Sequence, residues 1–403
     1  MPMTQTSPTP GAGETPPPFS LAQGGLCHRL LCRLRLSDEN LGLLRRRIVF
    51  FTLLCWLPLL LLTTLEGTLL EKGSTINFLQ DLEVNARFLV CLPLLLWAER
   101  FMHQHMRSVA HEFVECDLVP ERALARFHRS VRSAMQWRDT AWPEGVIVAM
   151  VYGIGVFVVW NHLLALDTPT WYAKPGAGGL SFTRAGQWYS YLSIPVFQFF
   201  LCRWLWRLLI WARFLWQVSR IRLSLVPTHP DRVGGLGFLN ITLHAFLPFA
   251  LAIGTLLAGH LADEVLFQGE ALMTFKYGIL SMVATMLVVL VGPFLFFGPQ
   301  LYQARRAGIR EYGALAHNYT RNFEAKWLRS GGRMDKPFLG SEDVRSLADL
   351  GRSVDVVDGM RLIPVTRESI LLVVLSSIAP LAPLLVSAMP TDSLVDRLVG
   401  LMF

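Results

Sequence analysis

Two arginines four residues apart, Arg203 and Arg207, stand inside the apolar run RWLWRLLIWARFLW. That spacing puts both guanidiniums on one helix face. Buried in lipid, each costs about 2.5–3.5 kcal/mol on insertion scales, so the pair needs partners, water or a short path to headgroups. Downstream lies the loop PTHPDRVGGLG, Pro227–Gly237. Its His229 and Asp231 can titrate or bind a cation, and Arg232 adds a further charge. Gly234, Gly235 and Gly237 let the backbone bend or approach a ligand closely. Amides of such a loop, at the start of a helix, can form an anion-binding nest. The chemistry on offer is recognition of an anionic ligand or lipid headgroup by these eight residues.

Each feature has a plain structural alternative. The arginines can snorkel toward the cytoplasmic interface beside an aromatic belt of Trp204, Trp206 and Trp211. The prolines and glycines can form a rigid connector that stops one helix and starts the next. Geometry divides the two readings. If the helix from Ile210 to Leu225 lies flat along the interface, the loop and the arginines can share one headgroup. If it stands upright, its length of about 22 Å separates them.

Other chemistry is sparse. No Walker A loop, G-x-S-x-G elbow or dinucleotide fingerprint occurs. The stretch from His111 to Glu115 reads HEFVE rather than HExxH, which fits a solvated helix face better than a metal site. The six cysteines, at 27, 32, 55, 91, 116 and 202, form no C-x-x-C pair, so neither a disulfide framework nor a structural zinc is expected. No cofactor, metal or nucleic-acid partner is expected, and enzymatic activity is the weaker expectation.

The elements that must position these residues are membrane helices. The chain is 52% hydrophobic and 17% charged, against about 25% charged residues in a soluble domain. Seven segments approach the ~20 apolar residues that a span needs. They run at 48–65, 76–98, 145–166, 188–210, 238–261, 277–297 and 370–389. The second carries Asp81, Glu83 and Arg87 in its first half. Prolines fall in six of the seven and permit kinks. The small pairs Ala149/Gly153 and Gly254/Ala258 allow close helix packing. With the N-terminus in the cytoplasm, 29 of the 37 basic residues face the cytoplasm and 6 face away. That is the asymmetry expected of an inner-membrane protein.

The chain therefore divides into a Pro-rich disordered tail (1–20), a basic cytoplasmic segment (21–47) and spans 1–2 (48–98). Cytoplasmic helices (99–143), spans 3–4 with a following helix (144–224) and the His-Pro-Asp and glycine loop (225–237) come next. Spans 5–6 (238–299), a cytoplasmic helical segment (300–367) and span 7 with an amphipathic C-terminus (368–403) complete it. The fold class is all-α: a polytopic transmembrane bundle of about seven spans with cytoplasmic amphipathic helices.

Three motifs together, HPDRVGGLGFL, RWLWRLLIWARFLW and SLADLGRSVDVVDGMRLIPV, resemble a group of uncharacterised multi-span bacterial inner-membrane proteins. The resemblance covers roughly residue 188 to the C-terminus. It implies a place in the bacterial inner membrane and one coherent unit, and it transfers no activity and no catalytic residue. The functional expectation is a non-enzymatic transport or conducting element, or a membrane-embedded regulator. The alternative is a membrane enzyme acting on a lipid or lipid-linked phosphate at the cytoplasmic leaflet. The expected partner is the bilayer itself, including anionic lipid, and a homo-oligomer is compatible with the sequence.

Overall fold

The computed structural model describes residues 19–21, 23–36, 43–69, 77–155, 170–176, 179–267, 269–329 and 342–387. It is 80% helical, with one two-stranded antiparallel hairpin among the described residues. Helix α1 is Gly25–Arg33 and α2 is Leu44–Leu65. Helix α3 covers 82–106 and contains a π turn at Arg87–Cys91. Helices α4 (Val109–Glu115), α5 (Glu121–Asp139) and α6 (Trp142–Met150) follow. Strands β1 (Ala173–Gly176) and β2 (Gly179–Phe182) pair with Ala173 opposite Phe182. Then come α7 (Arg184–Ser219), α8 (Leu236–Phe267) and α9 (Leu272–Leu328), α10 (Glu342–Asp358) and α11 (Arg367–Leu385).

Five of these, α2, α7, α8, α9 and α11, are long and apolar enough to cross a membrane. The second sequence segment is helical but shifted: α3 starts after Asp81 and runs to Met106. Asp81 sets that start, because its carboxylate accepts the Val84 N–H (2.8 Å) and caps the first turn. Of the third segment, α6 and a following turn are described, and 156–166 lies outside the described residues. So do 388–403.

The core is aromatic. Trp204, Trp211, Phe214, Phe246, Phe249 and Phe294 are fully buried and join α7 to α8 and α9. The aromatic belt read from the sequence is therefore corrected. Trp204 donates to the Leu95 carbonyl (3.0 Å) and stacks on Phe249, and Trp211 lies against Phe246 and Phe294. Trp206 stacks on Trp137 of α5. The expected tail is corrected at its end. Phe19, its one aromatic residue, packs on Phe214 and is fully buried, and Ser20 hydrogen-bonds His103 (2.7 Å). The small pair in α8 acts as expected: a Cβ on Gly254 would stand 2.1 Å from the Ser377 carbonyl of α11. Gly153 has open space beside it.

Candidate functional site

Arg203 and Arg207 share one face of α7, as their spacing requires, and both point inward. They are 5% and 3% exposed, so snorkelling does not describe them. Their partner is Glu99 of α3, itself 1% exposed. Arg207 Nη1 donates to Glu99 Oε1 (2.7 Å), and Arg203 Nη1 lies 3.6 Å from the same oxygen. Arg47 closes the group from α2. Its Nη2 lies 2.7 Å from Glu99 Oε2 without a linear hydrogen bond, and donates instead to the Leu96 carbonyl (3.0 Å). Arg47 ends the segment expected to be a basic cytoplasmic stretch, and its side chain is buried.

A second acid, Glu144 at the start of α6, extends the network. Its Oε1 lies 3.6 Å from Arg203 Nε, and its Oε2 accepts the Cys27 N–H of α1 (2.7 Å). Arg203 Nη1 also donates to Cys27 Sγ (3.2 Å). Three guanidiniums face two carboxylates here, leaving a formal excess of one positive charge. Arg207 Nη2 has no hydrogen-bond partner among the described residues. Arg207 lines a pocket of about 20 Å³ together with Arg138, Thr140, Glu144 and Arg203. That space is about water-sized.

Beyond Glu144 a larger cavity opens, about 530 Å³, between α1, α2, α6 and α7. Leu26, Leu30, Phe51, Val148, Val196 and Phe200 are among its walls, with Glu144 and Cys27 also in its lining. It is the size of a small-molecule site and is almost wholly apolar.

The glycine loop is a separate construction. Asp231 fills the amide nest with its own carboxylate. Oδ1 accepts Val233 N–H (2.9 Å) and Gly235 N–H (3.2 Å), while Oδ2 accepts Gly235 N–H (3.0 Å) and Gly237 N–H (2.8 Å). Gly234 and Gly235 have φ of +68° and +99°, which bends the amides toward one point. The His229 ring nitrogen Nδ1 stands 2.8 Å from Asp231 Oδ1. Burial pushes the Asp231 carboxyl up. The Val233 N–H, the His229 ring and the Gly237 and Gly235 N–H groups outweigh it and hold the carboxyl below its ordinary value of 3.8.

Arg232, at φ +57°, accepts the Arg361 N–H at its carbonyl (2.8 Å), and Arg361 Nη2 donates to the Asp231 carbonyl (2.9 Å). The loop is thus bolted to the segment between α10 and α11. It also reaches the 99–143 layer, since Ser224 N–H donates to Leu118 O (2.8 Å) and a Cβ on Gly235 would meet Leu118 at 2.9 Å.

The structure therefore brings His229, Asp231, Arg232 and the three glycines together, and sets Arg203 with Arg207 elsewhere. Helix α7 continues unbroken past Arg207 to Ser219, roughly 18 Å of rise, before the chain turns back. The two groups do not share a ligand site: the arginines meet Glu99, and the loop amides meet Asp231. The chain from 221 to 225, expected to extend that helix, is not helical.

A third polar group lies toward the other end of α3. Glu83 pairs with Arg87 and with His260 of α8 (3.0 Å), and Arg87 donates to Tyr189 OH (2.7 Å). Asp263 accepts the Leu82 and Glu83 amides (2.9 Å each). His244 meets Ser369 (2.9 Å), and Asn240 accepts the Thr366 N–H (3.0 Å), so both tie α8 to α11. His111 pairs with Glu115 at the surface (3.0 Å). No group of three or more metal-ligating side chains occurs among the described residues. Asn161 and His162 lie outside the described residues.

Sequence reasoning missed Glu99, Glu144 and Arg47. A signal for Glu99 was present. Leu92, Leu95, Leu96, Met102 and Met106 are buried around it at three- and four-residue spacing, which puts Glu99 on an apolar helix stripe. Comparison of the chain with protein-family models, curated proteins and solved structures finds no match.

Proposed function

We propose that this chain is a non-enzymatic multi-pass protein of the bacterial inner membrane, acting as a membrane-embedded regulatory element with its N-terminus in the cytoplasm. One observation carries the reading: the charges buried in the bundle are withdrawn from solvent and pair with one another. A transport path keeps ionisable groups facing water along its length. Here Arg47, Glu99, Arg203 and Arg207 are at most 5% exposed and paired among themselves. Between Glu99 and Glu83, about 24 Å along α3, the buried residues are Val84, Phe88, Cys91, Leu92, Leu95, Leu96 and Ala98.

Seven spans remain the proposed count. They are the five apolar helices, α3, and the segment that begins with α6. This arrangement keeps 29 of 37 basic residues on the cytoplasmic side. The resemblance of the loop and its flanking motifs to uncharacterised inner-membrane proteins supports the same location. A regulatory role draws on the bolted loop. Arg361 and Leu118 tie the chain between α7 and α8 to the polar segments, so a displacement there would reach the ends of both helices.

The test is flux across liposomes containing the full-length protein. Cation and anion flux should match that of empty vesicles. A protein-dependent flux that Glu99→Gln abolishes would overturn the reading.

The 530 Å³ apolar cavity favours a second reading, a membrane enzyme acting on a lipid or lipid-linked phosphate. In that reading Glu144 lies beside the reacting group and the cavity holds an acyl chain. Turnover of a lipid phosphate by the purified protein, lost in Glu144→Gln, would establish it.

A further inference from the structure

A different cleft, between α5 and the last turns of α7, has another character. It encloses about 300 Å³ and is lined by Arg126, Arg129, Ser130, Ser133, Trp216, Gln217 and Arg220. On α5 the lining positions fall at i, i+3, i+4 and i+7, one helix face. On the last turn of α7 and its C-cap Arg220 they fall at i, i+1 and i+4. Among the described residues, three arginines line the cleft and no carboxylate does. All three are exposed, and none has an acidic partner among the described residues. This is unlike the buried network, where Glu99 answers three arginines.

We infer that this cleft binds a phosphoryl group. Guanidiniums match phosphate oxygens in a planar, two-pronged geometry. Ser133 adds a hydroxyl that is already oriented, since it accepts from Arg213 Nη1 (3.0 Å) and so keeps its own O–H to donate. Arg213 is in turn held over the Trp137 ring, 4.3 Å from its centroid. Arg220 lies over the Trp216 ring at 5.5 Å, which limits its motion toward the cleft. The C-terminus of α7 would repel an anion through its free carbonyls. That effect is blunted here, because the Gln300 side chain donates to the Ser219 and Ile221 carbonyls. Trp216, 45% exposed, suits the headgroup level of a bilayer.

One ligand chemistry has two sources, the headgroup of an anionic phospholipid or a free phosphate compound. The inference is independent of the closed-core reading, since a sealed bundle and an open bundle both leave this cleft intact.

The experiment uses the full-length protein in a neutral detergent. Native mass spectrometry follows binding of phosphatidylglycerol and phosphatidylcholine, and calorimetry follows inorganic pyrophosphate. The variant R126Q/R129Q/R220Q is compared with R306Q/R310Q/R321Q, which removes the same charge from exposed positions of α9. Exposed substitutions of this kind usually leave stability within about 0.5 kcal/mol, and thermal unfolding checks that both variants fold. Loss of charged hydrogen bonds should weaken binding at least about tenfold in the cleft variant and under about twofold in the control. If the loss is confined to phosphatidylglycerol, the source is lipid. If it is confined to pyrophosphate, the source is soluble. Equal losses in both variants, or no binding of either anion by the unaltered protein, would overturn the inference.

Discussion

Glu99 answers three arginines, so its charge matters more than its size. Replacing one partner of a buried pair strands the others without a counter-charge and costs about 3–5 kcal/mol. Glu99→Gln should lower the thermal unfolding temperature sharply in detergent, while Glu99→Leu combined with Arg207→Met should recover much of the loss. A fall of less than about 1 kcal/mol for Glu99→Gln would mean that the ion pairs observed here are weak.

Asp231 gives a pH-dependent counterpart outside the bundle. Folding lowers its carboxyl pKa, so as pH falls the unfolded chain takes up the proton first. Its stabilisation is complete above about 3.8 and is lost as pH drops through the folded value. Hydrogen exchange, corrected for the intrinsic rate, should show the Val233, Gly235 and Gly237 amides protected at pH 5 and opened well below 3.8. Asp231→Asn should open them already at pH 7. At this scale the sequence was half legible. Two arginines on one face and a glycine-rich nest could be read from spacing alone. Their ligands could not. Glu99 is separated from Arg207 by 108 positions, and only the tertiary fold joins them. The nest's occupant was legible in principle, because an Asp side chain commonly bonds backbone N–H groups two residues on.

Glycine sets the spacing between elements. Gly254 lets α8 touch α11 at the Ser377 carbonyl, and Gly308 lets α9 touch Pro227, where a Cβ would stand 2.6 Å away. Because backbone cannot yield as a flexible side chain does, Gly254→Ala should destabilise by about 1–3 kcal/mol. Gly278→Ala, with open space around it, is the control and should be neutral or mildly stabilising. Denaturation of both variants in the same detergent separates the outcomes, and equal stability would remove the tight-contact account. Long apolar helices were readable because lipid-facing runs of twenty residues leave few alternatives. The start of α3 was harder. Asp81, Glu83 and Arg87 looked like charges within a span, whereas Asp81 is the cap and Glu83 and Arg87 pair within the first turns.

For the molecule as a whole, orientation is the testable quantity. Reporter fusions at Arg138 and Asp349 should both give cytoplasmic signals, and a fusion at Gly269, between α8 and α9, should not. An external signal at Arg138 would reverse the topology for every residue between α3 and α6. Helix α9 is the longest helix among the described residues. It holds 57 residues, about 85 Å of rise, against a hydrocarbon layer of about 30 Å. A tighter 3-10 stretch at Gly292–Phe297 interrupts it, the kind of stretch that often marks a hinge. Beyond that point about 46 Å of helix remains up to Leu328. On those dimensions, a tilt of ten degrees at Pro293 would sweep the far end of this arm through about 8 Å. Small rearrangements among tightly packed spans would therefore be read out as large displacements in the polar layer, and a partner gripping α10 would hold the long arm.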